Sequence, residues 1–165
     1  MTTMLIVSIH LVALYVGATI WKHKELPESI SAMVYDLSKP WRWIWSVWLA
    51  TVTVMISPAL TAAMPDVWYG IAGHIFIVLL AMTAAMPLLP GYHNKAHYIC
   101  GIAAGIMSQV CVALICPWWM AVLLVFTLLV VTDRTNDIHS ILYGKTVFLS
   151  ECACYVSLVG ALLTH

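Results

Sequence analysis

Six apolar runs, at about 3–21, 41–63, 67–89, 97–116, 118–132 and 142–164, take up most of the chain and leave only short connections between them. At about 1.5 Å per residue, most of these runs are long enough as α-helices to cross a hydrocarbon core about 30 Å thick. The run at 118–132 is the shortest, roughly 22 Å as a helix, so it must borrow a turn from its flanks or sit where the bilayer thins. A surface for water is missing as well: 63% of residues are hydrophobic and 8% charged, a balance that only lipid solvates. The expected fold is therefore all-α, a polytopic transmembrane bundle of six helices forming a single domain over 1–165.

The charges set an orientation. Lys22, Lys24, Lys39 and Arg42 fall between helices 1 and 2, Lys95 between 3 and 4, and Arg134 and Lys145 between 5 and 6. Every Lys and Arg thus lies in alternate loops, which the positive-inside rule assigns to the cytoplasm, with both termini outside an inner (cytoplasmic) membrane. Adding or deleting one span would scatter the charges over both faces. No basic residue precedes the first apolar run, so it is expected to be a retained span and not a cleaved signal. Trp21, Trp41, Trp43, Trp45, Trp68, Trp118 and Trp119 cluster at span ends, as an interfacial belt does. Between helices 1 and 2, Ile30, Met33, Val34 and Leu37 recur at helical spacing, predicting a short cytoplasmic surface helix at about 28–39 that starts at Ser29 and stops at Pro40.

Seven Lys/Arg balance seven Asp/Glu, which leaves no basic footprint for nucleic acid and makes the bilayer the expected partner. Five cysteines, most within apolar runs, predict packing and no disulfide framework. Gly101 and Gly105 give helix 4 a small-xxx-small face, expected to pack on another helix of the bundle, with a homo-oligomer contact as the rival reading.

Few residues offer chemistry. Glu151 is the only acid well inside a span, and a carboxylate in hydrocarbon must pair, protonate or face water. His74, with His10 less favoured, is the other intramembrane ionisable candidate and would form a relay with Glu151 if the helices meet. Ser46, Thr53, Ser57 and Thr61 share a stripe about 80° wide on helix 2, beside Pro58, which reads as interhelical glue or as the wall of a polar pathway. His93 and His97 stand four apart at the start of helix 4, and with His139 they would suit a zinc ion if the helix includes His93. Because Pro90 and Gly91 precede the pair, helix 4 is instead expected to start near Asn94, with His97 bonded inward.

Pro27-Glu-Ser-Ile-Ser31 followed by Tyr35, with His97-Tyr98 opening helix 4, resembles a group of small polytopic membrane proteins of gut Bacteroidetes and their phages. The resemblance runs the length of the chain, implies a multi-span membrane fold without a particular activity, and raises the standing of Ser29, Ser31, His97 and Glu151. A fainter likeness is to the alkaline ceramidase and adiponectin-receptor superfamily, multi-span hydrolases with a zinc site near the cytoplasmic face. There His93 and His97 would match the His-x-x-x-His pair and His139 the third ligand, although the pair stands on helix 4 and the spans number six.

The leading expectation is a non-enzymatic membrane protein that binds or conducts a small solute or ion along a polar seam of helices 2, 3, 4 and 6. Glu151, His74, Ser57, Thr53, His97, Ser29 and Ser31 are its candidate residues, with no cofactor. The alternative is a zinc-dependent hydrolase acting on a lipid at the cytoplasmic leaflet through His93, His97 and His139. A structural or regulatory membrane subunit is the third class.

Overall fold

The computed structural model describes residues 2–89, 94–135 and 145–165, with the side chains of 94 and 130–135 excepted. Within those residues the chain is helical throughout, without strands. The helices are α1 (Thr2–His23), α2 (Arg42–Ala63), α3 (Val67–Ala85), α4 (Asn94–Ile115), α5 (Met120–Thr135) and α6 (Thr146–Thr164). Five segments are long and apolar enough to cross a membrane: Thr2–His23, Lys39–Ala63, Val67–Leu88, Lys95–Ile115 and Thr146–Thr164. The apolar part of α5 with the 3₁₀ turn before it, Pro117–Leu129, is shorter.

Local chemistry sets the boundaries. Asp66 caps α3 by accepting the Trp68 N–H at 3.2 Å, satisfying one of the donors a helix start leaves open. Pro40 and Pro117 each open a 3₁₀ turn, where the missing N–H costs nothing. At the end of α1, Lys24 adopts φ 61° and donates its N–H to the Ile20 carbonyl at 2.7 Å. This left-handed residue turns the chain out of the helix.

The segment from Glu25 to Pro40 departs from the continuous surface helix expected at 28–39. It forms two 3₁₀ turns, Ser31–Asp36 and Lys39–Trp41. Met33 and Val34 are sunk into the bundle, 1% and 0% exposed, against Trp45, Leu49 and Ala84. The departure has a physical cause: the backbone groups at 28–31 bond to residues of other helices, so an α-helical ladder cannot run through them. Residues 28–34 thus act as a strap drawn across one end of the bundle.

Around the bundle α2 packs on α1 and α3, α3 on α4, and α4 on α6, while α6 touches α1 and α2 and closes the ring. α5 lies mainly against α6. Leu5, Val52, Ile56, Leu60, Phe76, Val112 and Leu158 belong to the main core cluster. In lipid, where tails are as apolar as leucine, close packing and interhelical hydrogen bonds do most of the holding. α6 carries many of those bonds. Tyr155 Oη lies 3.0 Å from Ser8 Oγ of α1, Gln109 of α4 donates to Ser157 Oγ at 2.9 Å, and Trp119 donates to Thr164 Oγ1 at 2.9 Å. Gly160 admits the Trp119 indole so closely that a Cβ there would stand 2.5 Å from the ring.

Gly101 and Gly105 behave differently from the packing face expected of them. Among the described residues a Cβ at either would meet nothing within 4 Å, so neither glycine admits a described neighbouring helix. They border open space.

Candidate functional site

That space is a partly open pocket, called the cavity below, of about 130 Å³, lined by α1, α2, α3, α4 and α6 and by Ile30 and Ser31 of the strap. Its wall is mostly apolar, with Val52, Ile56 and Leu158 beside the rings of Trp45, Trp48, Phe76 and Tyr155. Glu151 is the one acidic or basic side chain on it among the described residues. For scale, a dry engineered cavity of about 150 Å³ holds benzene. A single ring or a short alkyl group fits within that volume.

Glu151 stands on the second turn of α6 and reaches the strap. One carboxylate oxygen, Oε2, accepts the backbone N–H groups of Ile30 and, at 3.4 Å, Ser31. The other, Oε1, accepts the Ser31 hydroxyl at 2.8 Å. Two successive N–H groups aimed at one carboxylate are what a helix start offers an anion, so an acid from α6 caps the 3₁₀ turn of the strap from outside. The remaining backbone groups are bonded too. The Glu28 carbonyl accepts Phe148 N–H at 3.0 Å, the Ile30 carbonyl accepts the Trp45 indole at 3.3 Å, and the Ser31 carbonyl accepts His97 Nε2–H at 3.2 Å. Irregular backbone next to lipid survives only when protein satisfies it in this way.

Ser29 and Ser31 therefore hold the strap: the Ser29 hydroxyl accepts Ala32 N–H at 2.8 Å and lies 3.1 Å from Ser31 Oγ. His97 is fully buried, and its ring stands against Trp45, Tyr35 and Tyr98 with centroids 5.4, 6.5 and 6.3 Å away. It also engages the Thr83 backbone. The described part of α4 runs from Asn94, and the expected helix start beside His93 lies outside the described residues. Glu151, Ser31, Ser29 and His97 are brought together.

The rest of the expected seam is not. His74 is exposed on α3 and bonds back to its own helix, its Nδ1 2.6 Å from the Gly70 carbonyl; His10 does the same with Ile6 at 2.7 Å. Neither reaches Glu151. Thr53 and Ser57 donate to Leu49 and Thr53 carbonyls, and Thr61 to that of Ser57. None of the three lines the cavity; α2 presents Trp45, Leu49, Val52 and Ile56 there instead, a face roughly 110° around the helix from the Ser/Thr stripe. His93 and His139 lie outside the described residues, so the proposed histidine trio is not assembled or dispersed by what is described. Among the described residues no group of three His, Cys, Asp or Glu is placed for a metal.

Gln109, Ser108, Tyr155 and Ser8 escaped the sequence reading. Gln109 bridges α4 to α6 by donating to Ser157 and, at 3.2 Å, to Ser108. Its signal was available: a lone amide within an apolar run must find a partner, as Glu151 must.

On the far side of the strap a polar vestibule of about 300 Å³ opens, bordered by His23, Glu25, Glu28, Asp36, Tyr98 and Lys145 among others. The strap borders both spaces, with Ile30 and Ser31 lining the cavity and Glu28, Ala32 and Met33 lining the vestibule. Comparison with known protein families, with curated proteins and with solved structures finds no match for this chain.

Proposed function

We propose that this polytopic membrane protein binds a small, mainly apolar solute inside the bilayer, in the cavity that Glu151 borders. The observation that carries the reading is a carboxylate set on the wall of a benzene-sized apolar cavity. Gly101 and Gly105 of α4 leave space along its wall. Conduction along a Ser/Thr seam has no such support, because Thr53, Ser57 and Thr61 bond within α2 and none of the stripe lines the cavity.

The same proposal takes α5 as a sixth span. α6 ends where Thr164 meets Trp119 of the turn before α5, and it begins beside the strap. On this proposal α5, Met120–Thr135, runs back from that end of the bundle. The loop charges then put the strap at the cytoplasmic face of an inner membrane with both termini outside.

Fluorobenzyl alcohol is a suitable neutral probe, read by fluorine saturation-transfer NMR on protein in lipid nanodiscs. Binding is expected in the wild type and in Gly17→Leu, since Gly17 is exposed on α1, and is expected to vanish in Gly105→Leu, whose side chain fills the cavity. Equal signals from Gly105→Leu and the wild type would remove the reading.

A further inference from the structure

We infer that the occupant of the cavity is a small organic cation, an ammonium group on a compact aromatic or alkyl body, admitted from the vestibule behind the strap. This rests on the reading of the cavity as a binding site and adds the charge of the ligand.

Three features converge on it. The Glu151 carboxylate has about four lone-pair directions, of which the strap occupies three. Oε1, with one donor, keeps room for another from the cavity side. Among the described residues the only ion pair is His23 with Asp36, so none of their basic side chains neutralises Glu151. A half-buried carboxylate without a countercharge among the described residues is costly in the membrane, and a ligand ammonium would supply that charge.

The walls suit a cation too. Trp45, Trp48, Phe76 and Tyr155 all line the cavity, and the face of an aromatic ring attracts an ammonium or quaternary ammonium group, most strongly where water is excluded. An anion would face Glu151 directly and is disfavoured.

The vestibule selects for the same sign. Glu25, Glu28 and Asp36 border it against Lys145 and His23, with His23 Nε2 3.8 Å from Asp36 Oδ2. Three acids at the mouth of a pocket raise the local concentration of cations. The strap borders both mouth and cavity, and the N–H groups of its Ile30–Ser31 turn are tied to Glu151 itself. A cation that reaches Glu151 therefore competes for the carboxylate that holds the strap.

The test compares tritiated benzyltrimethylammonium with tritiated benzyl alcohol, a neutral body of similar size, by scintillation proximity on wild-type protein in nanodiscs, with empty nanodiscs as the background. The cation is expected to bind at least tenfold more tightly than the alcohol. Glu151→Gln should lower cation affinity at least tenfold, while Gly105→Leu should abolish binding of both probes. Alcohol binding as tight as the cation's would overturn the cation inference and leave the cavity reading standing, and this comparison needs no variant to fold. Cation binding indifferent to Gly105→Leu would place it outside the cavity and overturn the inference. Binding of neither probe would sink both.

Discussion

Glu151→Ala separates the strap's hydrogen bonds from its packing, because it removes the acceptor of three donors, Ile30 N–H, Ser31 N–H and Ser31 Oγ–H, at one stroke. Interhelical hydrogen bonds within membrane proteins average about 0.6 kcal/mol and reach about 1.7, and a charged acceptor roughly doubles a neutral bond. Three of them come to about 2–4 kcal/mol. Glu151→Gln has a different geometry available. Its amide oxygen accepts both N–H groups while its NH₂ donates to Ser31 Oγ, whose proton turns toward Ser29 Oγ, 3.1 Å away. Only the charge-assisted part is lost, about 1 kcal/mol. Ser31→Ala deletes one donor, about 0.5–1.5 kcal/mol. Thermal unfolding in detergent should therefore rank Ala well below Gln and Ser31→Ala. Hydrogen exchange of a peptide covering 26–36 should accelerate most in Glu151→Ala, where the Ile30 and Ser31 amides lose their partner. If Gln proved as damaging as Ala, charge and not hydrogen-bond count would govern the strap; if Ala left exchange unchanged, Glu151 would not hold it at all.

Other substitutions probe the remaining contacts. Gly160→Ala drives a Cβ to 2.5 Å from the Trp119 ring and should cost about 1–3 kcal/mol, whereas Gly17→Ala meets nothing and should stay within about 0.5 kcal/mol of wild type; equal unfolding midpoints would contradict the packing of α6 on Trp119. His97→Ala empties a fully buried site and frees the Ser31 carbonyl, a loss of about 2–4 kcal/mol, while a chelator should leave the midpoint unchanged. A chelator-induced fall would instead favour the zinc site of His93, His97 and His139. In a background without native cysteines, Ser38→Cys should react with an impermeant maleimide only from the cytoplasmic side and Asp66→Cys only from outside, and the reverse pattern would invert the proposed orientation.

Helix positions were legible because lipid imposes a length. The run at 41–63 became α2 at Arg42–Ala63, and the run at 67–89 became α3 followed by the 3₁₀ turn Met86–Leu88. The strap was half legible. Its apolar residues were found, and Met33 and Val34 are indeed turned inward, but helical spacing does not distinguish a surface helix from a 3₁₀ turn whose backbone bonds to other elements. Glu151 was found because charge in hydrocarbon demands a partner. That the partner would be backbone N–H groups of a strap some 120 residues earlier left no trace in any local pattern.

Which way each helix faces was the least legible feature, for a reason specific to membranes. In water, apolar residues mark the inner face of a helix because the outer face must be polar. In a bilayer the surroundings are as apolar as the core, so periodicity loses its sign, and the few polar residues become the remaining guide. That guide fails when a side chain can satisfy itself. Thr53, Ser57 and Thr61 bond to the carbonyls four residues back, and His10 and His74 do likewise. A short hydroxyl or an imidazole with such a bond is free to face lipid or protein. Glu151 and Gln109 have no comparable local outlet for an acid or a full amide. Both reach other elements, and they help fix the rotation of α6 and α4 around the cavity. The polar groups of a membrane span are therefore informative about function in proportion to how poorly their own helix can satisfy them.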